Sequence, residues 1–304
     1  MIKRKDSVFR TKADLIFYIA VLILPLLQFS IFYIYVNVNN VMLAFQRFID
    51  GKYIFAGLEN FKLVFDRLAN DGILLPALKN SLFYYIFSFF LCSSLTLLFA
   101  FYIFKKRFLA ETFKMFLFMP TIISSLVLII MYKYFIDEAI PEVLTQIFGK
   151  TSIQGGLYSD LKTQYTSIIF YNLVLSFGPS LLVYFGSMKN ISDSMIEAAQ
   201  LDGVTPIKEF LFVVFPSVYS VFVTFTIGGV AGIFTNQLHM YSFRGDAAPN
   251  DQYNLGYYLY VNVLKKDSMS YPFLAAMSLV FSAVAIPVTF IMHKLLDKIG
   301  PSVD

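Results

Sequence analysis

SMIEAAQLDGVTPIKEFLFVVFP, residues Ser194–Pro216, is a charged and punctuated stretch in an otherwise apolar chain. Glu197, Asp202, Lys208 and Glu209 fall close together there, with Gly203 and Pro206 between them. Ser194 and Glu197 have the S-x-x-E spacing of a capping box, and Met195, Ala198, Ala199 and Leu201 are good helix formers, so a short helix is predicted to begin near Ser192–Ser194. Gly203 is the predicted stop, because a residue without Cβ takes the left-handed conformation that closes a helix. Thr205 then suits an N-cap, Pro206 the first helical position, and Glu209 the first turn, where the helix dipole favours negative charge. The prediction is helix, sharp turn, helix. The second helix continues through Phe210, Phe212, Val213 and Phe215 into a long apolar run, and Pro216 is expected to bend or end it. Ile196, Ala199, Leu201 and Val204 form an apolar stripe on a unit too short to bury its own face, so this elbow calls for a partner surface.

The composition around the elbow is that of a polytopic membrane protein: 58% of the 304 residues are hydrophobic and 14% charged, against about 25% charged in soluble domains. A helix needs about 20 apolar residues to cross the hydrocarbon core. Six runs qualify, near Leu15–Val36, Leu82–Phe104, Phe113–Phe135, Ser167–Met188, Phe212–Phe234 and Pro272–His293. The first is preceded by five basic residues but is too long for a signal peptide and lacks a small-x-small cleavage site, so it is read as an uncleaved anchor. Lys and Arg counts set the orientation. The N-terminus, the Lys105–Arg107 turn, the 189–211 segment and the tail hold about 12 basic residues in about 55 positions, and the other connections about 10 in about 110. Both termini and the elbow are therefore expected on the cytoplasmic side. The expected organisation is all-α: a cytoplasmic segment 1–14, a six-span domain 15–293 carrying the elbow at 192–211, and a cytoplasmic tail 294–304. The outer connections, 37–81, 136–166 and 235–271, are long, and the first holds LENFKLVF (Leu58–Phe65), a predicted short amphipathic helix at the outer surface.

Several classes are excluded. No Asp or Glu lies within the six runs, which argues against proton or sodium coupling through membrane carboxylates. Lys114, Lys133 and His293 sit at run ends, where they reach the interface. The two histidines, His239 and His293, are far apart and have no carboxylate at depth beside them, so no general base, nucleophile pair or metal triad emerges and the chain does not read as an enzyme. Cys92 is the single cysteine and reads as a small buried hydrophobe. The net charge of +4 is a matter of topology, not of nucleic-acid binding. If this chain moves something uphill, the energy must therefore be delivered from outside the membrane, and the sequence has no G-x-x-x-x-G-K-[ST] phosphate loop to supply it from this chain.

Glu197-Ala198-Ala199, Asp202-Gly203, Phe210 and Pro216 resemble the EAA coupling signature of bacterial ABC importer permeases, with Phe215-Pro216 standing where the family usually has Leu-Pro. Gly57-Leu58-Glu59-Asn60-Phe61, Asn80-Ser81, Met119-Pro120 and the six-span layout are similar to the maltose-type, carbohydrate-uptake branch. The resemblance implies a type I importer fold, a second permease subunit, two ATPase subunits that bind ATP and Mg, and no cofactor in this chain. It also implies an extracytoplasmic solute-binding protein received by outer loops that include Arg244, Asp246 and Asp251. Glu197, Ala198, Ala199, Asp202 and Gly203 would dock into the ATPase. Asn172, Ser176, Phe177, Pro179, Phe234, Thr235 and Asn236 would contact a sugar or oligosaccharide. Pro179 stands where the family has a sugar-contacting Tyr, and Ser176 where it has Gly, so the identical sugar does not follow. Structural roles stay open for these residues: Asn172 as a bridge between helices, Ser176 and Gly178 for close packing, Phe234 toward lipid. Two other functions stay open as well. An importer of a charged solute, such as glycerol phosphate or a polyamine, would show clustered Arg or Asp in its path. A membrane enzyme or scaffold in lipid or glycan assembly would lack the ATPase.

Overall fold

Five of the six long apolar runs each become one helix that overshoots the run specifying it. The computed structural model describes residues 12–149, 156–265 and 267–301. Most of the predicted segment 1–14, residues 150–155 of the connection 136–166, and the end of the tail 294–304 lie outside the described residues.

The described residues of 1–66 together with 267–280 form one unit. Its main element is α1 (Ala13–Ala44), with a wide π turn at Ser30–Tyr35. Large apolar side chains are exposed all along it, as expected of a helix whose solvent is lipid or a neighbouring subunit. The hairpin β1 (Gln46–Ile49) and β2 (Lys52–Phe55) follows, antiparallel, with Gln46 opposite Phe55 and Ile49 opposite Lys52. This hairpin departs from the all-α expectation. Asp50-Gly51 makes its two-residue turn, both at positive φ (48° and 79°), the conformation that matches the right-handed twist of paired strands. The predicted amphipathic helix is longer than LENFKLVF, running as α2 (Glu59–Asn70). Asn60 is buried at its start and donates to Ala44 O at 2.8 Å, a carbonyl that the end of α1 leaves open, and to Gln46 O of β1 at 2.7 Å.

The described residues of 67–266 and 281–304 form the second unit. It contains α3 (Leu74–Phe104), α4 (Ala110–Ile122), α5 (Ser125–Phe148), α6 (Leu161–Met188), α7 (Asp193–Leu201), α8 (Pro206–Thr235), α9 (Met240–Arg244), α10 (Leu255–Leu264) and most of α11 (Tyr271–Ile299). Five of the described helices, α1, α3, α6, α8 and α11, are each long and apolar enough to cross a bilayer, and α4 with α5 makes a sixth span if the bent pair is counted as one.

That pair corrects the reading of 113–135 as one straight helix. Pro120 has no N–H and crowds the preceding turn; the chain tightens to a 3-10 turn at Met119–Ile122, becomes extended at Ile123 and Ser124, and restarts at an angle of 108°. Gly178 of α6 lies against this break. A Cβ there would sit 2.5 Å from Thr121 Cγ2 and 2.9 Å from Leu117 O. Pro216 does not end its helix. Helix α8 continues through it, because a π turn at Phe210–Val214 inserts the slack that lets the ring enter without breaking the rod.

Two apolar clusters hold the second unit together. One joins Leu97 and Ala100 of α3, Tyr184 and Met188 of α6, and Val214 and Val218 of α8. The other joins Cys92 with Ile169, Leu173 and Phe177. Within lipid, tight van der Waals fit replaces the hydrophobic effect as the force between helices. Gly229 shows this fit, since the Tyr85 ring lies where its side chain would be. At the far end of α8, Gly256 of α10 abuts Thr235 and Asn236 so closely that a Cβ would fall 2.4–2.5 Å from their backbone atoms.

Candidate functional site

The elbow forms as helix, turn, helix, with one change at its start. Ser192, extended at φ −67° and ψ 139°, is the N-cap, and α7 begins at Asp193. Ser194 therefore lies inside the first turn, its hydroxyl on Ser192 Oγ at 3.2 Å, and the capping box predicted at Ser194 and Glu197 does not form. The exit is a Schellman motif: Gly203 N donates to Gln200 O at 3.0 Å and Val204 N to Ala199 O at 3.1 Å. Gly203 is at φ +70° with no atom within 4 Å of a would-be Cβ, so it is the backbone conformation that requires glycine there. Thr205 (φ −68°, ψ 154°) and Pro206 open α8. The apolar stripe divides in two. Ala199 is buried and Ile196 packs on the cluster around Tyr184 and Val218, whereas Leu201 is 89% exposed and, beyond the stripe, Ile207 is 73% exposed. Glu197, Ala198, Asp202 and Gly203 are exposed.

A buried ion pair ties the elbow to α3. Lys105 Nζ lies 2.9 Å from Glu209 Oε1 and 3.1 Å from Oε2, and Glu209 is 3% exposed. Glu209 does sit in the first turn of α8, but its partner is a lysine from the end of another span.

Between α3, α6 and α8 lies a cavity of about 360 Å³. Three polar or small stripes at four-residue spacing make its walls: Tyr84, Ser88, Cys92 and Thr96 on α3; Ser176, Ser180 and Tyr184 on α6; Gly228, Gly232 and, just past the end of the helix, Asn236 on the α8 side. Such spacing places residues on one helix face. Ser176, Ser180 and Thr226 donate to carbonyls of their own helices at 2.7, 2.7 and 2.8 Å, so what they show the cavity is acceptor lone pairs. Asn236 accepts from Leu238 N at 2.9 Å, leaving its amide nitrogen as the group on offer. Among the described residues, no Lys, Arg, Asp, Glu or His side chain contributes to the wall.

Of the residues expected to meet substrate, Ser176, Pro179 and Asn236 line this cavity, and Asn172, Phe177, Phe234 and Thr235 do not. Asn172 is buried and fully engaged: Nδ2 donates to Ile168 O at 2.8 Å and Leu238 O at 2.9 Å, and Oδ1 faces His239 Nδ1 at 2.8 Å. Those two donations orient the amide, so the imidazole carries its proton on Nδ1. Asn172 thus pins Leu238 and His239, two successive residues at φ 53°, a strained pair without glycine. Burial also holds His239 below the ordinary imidazole range. Phe177 packs edge-on against Phe99 at 5.6 Å, Phe234 stacks on Phe281 at 5.5 Å, and Thr235 is exposed with its hydroxyl toward Ala231 O. Of the outer-loop residues, Asp246 and Asp251 are exposed and Arg244 is half-buried, donating to Gln252.

A sequence profile for the family described as binding-protein-dependent transport system inner membrane component matches residues 72–299. The chain belongs to that family. The permease is 25% identical over 274 residues to the arabinooligosaccharides transport system permease protein AraP of Bacillus subtilis, covering 88% of this chain and 85% of that one. It is 24% identical to the maltose/maltodextrin transport system permease protein MalF of Klebsiella aerogenes over 124 residues, 41% of this chain and 24% of the relative. A bacterial alginate ABC transporter, solved in complex with alginate pentasaccharide-bound periplasmic protein, contains a chain that matches with a TM-score of 0.76 at 16% identity, covering 95% of this chain and 96% of that one. The fold of this permease is therefore that of a type I importer.

Sequence reasoning missed Tyr84, Tyr85, Tyr184, Thr226 and the glycines of α8 as cavity residues of the permease. Their signal was available in the four-residue stripes of hydroxyl and small side chains inside apolar runs. Glu209 and Lys105 gave no such signal, because nothing local joins positions 104 apart.

Proposed function

We propose that this permease forms, with a second permease subunit, the translocation path for a neutral sugar or oligosaccharide. The observation that carries the substrate class is the cavity wall: hydroxyl lone pairs, an amide and aromatic faces suit the O–H groups and C–H faces of carbohydrate. A path for an acidic or phosphorylated solute needs fixed cations, and this wall supplies none among the described residues. The names of the relatives, which specify arabinooligosaccharides and maltodextrins, support the same class.

In this reading the elbow is the cytoplasmic coupling element and both termini are cytoplasmic, as the distribution of basic residues indicates. The segments 1–14 and 294–304 flank the six-span domain 15–293. Two ATPase subunits bind ATP and Mg, and this chain needs no cofactor of its own. Exposed Glu197, Asp202, Leu201 and Ile207 meet the ATPase, while Ile196 and Ala199 hold the elbow to the spans. Substrate arrives from an extracytoplasmic binding protein received near Asp246 and Asp251.

The test is reconstitution of the assembly in vesicles with ATP inside. ATP-dependent uptake of maltotriose or arabinotriose, with none of an oligouronate of equal length, is the expected result. Uptake of the uronate in preference, or neutral uptake without the ATPase, overturns the proposal.

A further inference from the structure

Three tyrosines contribute to the cavity wall, and they differ in what their hydroxyls do. Tyr85 donates to Thr226 O at 3.2 Å, and the Tyr84 hydroxyl interacts with Ser88. Tyr184 is 1% exposed, and its hydroxyl, shielded from solvent, has no hydrogen-bond partner among the described residues. Ser or Thr at this position would return its proton to a carbonyl of its own helix, as Ser180 does; a phenol carries its hydroxyl too far from the backbone for that. A buried hydroxyl left without a partner is a standing cost that native proteins keep where something else completes it.

The position is informative as well. Tyr184 lies eight residues beyond Ser176 on α6, about 12 Å further along the helix. It belongs at once to the cavity wall and to the apolar cluster on which Ile196 of the elbow packs. Its ring meets Phe225 of α8 at 5.3 Å. It therefore marks the elbow end of the cavity. Ser176, Ser180, Thr226 and Tyr85 spend their protons on backbone carbonyls and show an incoming ligand acceptors, while the Asn236 amide and, at this end, the Tyr184 hydroxyl keep protons to give.

We propose that the Tyr184 hydroxyl is the substrate's hydrogen-bond donor at the elbow end of the path, given to a hydroxyl or ring oxygen of a neutral saccharide. This rests on the oligosaccharide reading above. It places a substrate contact deeper than the residues the family resemblance implies, on the same face of the same helix.

The test uses the purified assembly without its binding protein, titrated separately with maltotriose and arabinotriose and read by the shift in thermal unfolding. Tyr184→Phe removes the oxygen and keeps the ring. The expected result is a midpoint about three- to tenfold higher for whichever sugar the wild type binds, as for loss of one neutral hydrogen bond, with unfolding of the sugar-free variant unchanged or slightly later. Equal midpoints for variant and wild type overturn the Tyr184 assignment alone. A sugar-free variant that unfolds several degrees earlier also overturns it, because the hydroxyl then has a structural partner. A wild-type assembly that responds to neither sugar overturns the oligosaccharide reading beneath it.

Discussion

Replacing Lys105 with Met should destabilise the assembly out of proportion to the change in size. The ammonium lies 2.9 and 3.1 Å from the two oxygens of a carboxylate that is 3% exposed. At an effective dielectric of about 20, the gross attraction at that distance is about 5–6 kcal/mol. Desolvation offsets much of it, so the net value of the pair is small. Removing one member is a different matter, since it leaves Glu209 charged and buried without a counter-ion, at a cost of about 3–5 kcal/mol. For a chain of this size that corresponds to a fall of about 6–10 °C in unfolding temperature. Lys105→Met with Glu209→Leu removes both charges and should restore most of the loss. The assay is thermal unfolding of the detergent-solubilised assembly for wild type, each single variant and the double variant. Sugar moved per ATP, measured in vesicles, gives a second readout, because the pair fastens the α3 end to the elbow. A Lys105→Met variant within about 2 °C of wild type, or a double variant as unstable as the single one, would refute the reasoning.

Asn172→Leu should cost about 1–3 kcal/mol of stability by leaving the Leu238 carbonyl unpaired while leaving sugar affinity near wild type, the reverse of the pattern expected at Tyr184; thermal unfolding and sugar titration of the same sample check both. His239 is held neutral by burial, so its contribution is fully present above about pH 6.5 and declines as pH falls below that value toward its lowered pKa; unfolding temperatures from pH 7.5 to 5 should show this decline, and His239→Asn, which tolerates positive φ, should flatten it. Cys92 is the chain's single cysteine and lines the cavity, so a bulky maleimide that reaches it should abolish uptake, with saturating sugar slowing the reaction and Cys92→Ala removing the sensitivity.

The spans were legible because a 20-residue apolar run has few alternatives in lipid, and the elbow was legible because Gly203, Thr205 and Pro206 each have a specific backbone use. The break at Ile123 was harder to foresee. Pro120 announced trouble, but whether a proline kinks a helix or is absorbed depends on its neighbours, and Pro216 and Pro179 are both absorbed within continuous helices. The Asp50-Gly51 hairpin had a strong local signal that an all-helical frame passed over. The lining of the candidate cavity was legible only in part. Carry-over by spacing reached Ser176, Pro179 and Asn236 on the wall, but Asn172 is turned to a different duty by Leu238 and His239, residues that follow a different helix. Long-range partners of this kind, like Lys105 for Glu209, are set by tertiary placement and leave no periodic trace.

The unbroken length of α8 has a mechanical consequence. Thirty residues at 1.5 Å make a strut of about 45 Å, rooted in the elbow at one end and wedged under Gly256 at the other, with no room for a side chain in the joint. A stiff strut with both ends seated transmits thrust without storing it. Under the transport reading proposed above, a displacement of the elbow is therefore felt at the Gly256 joint.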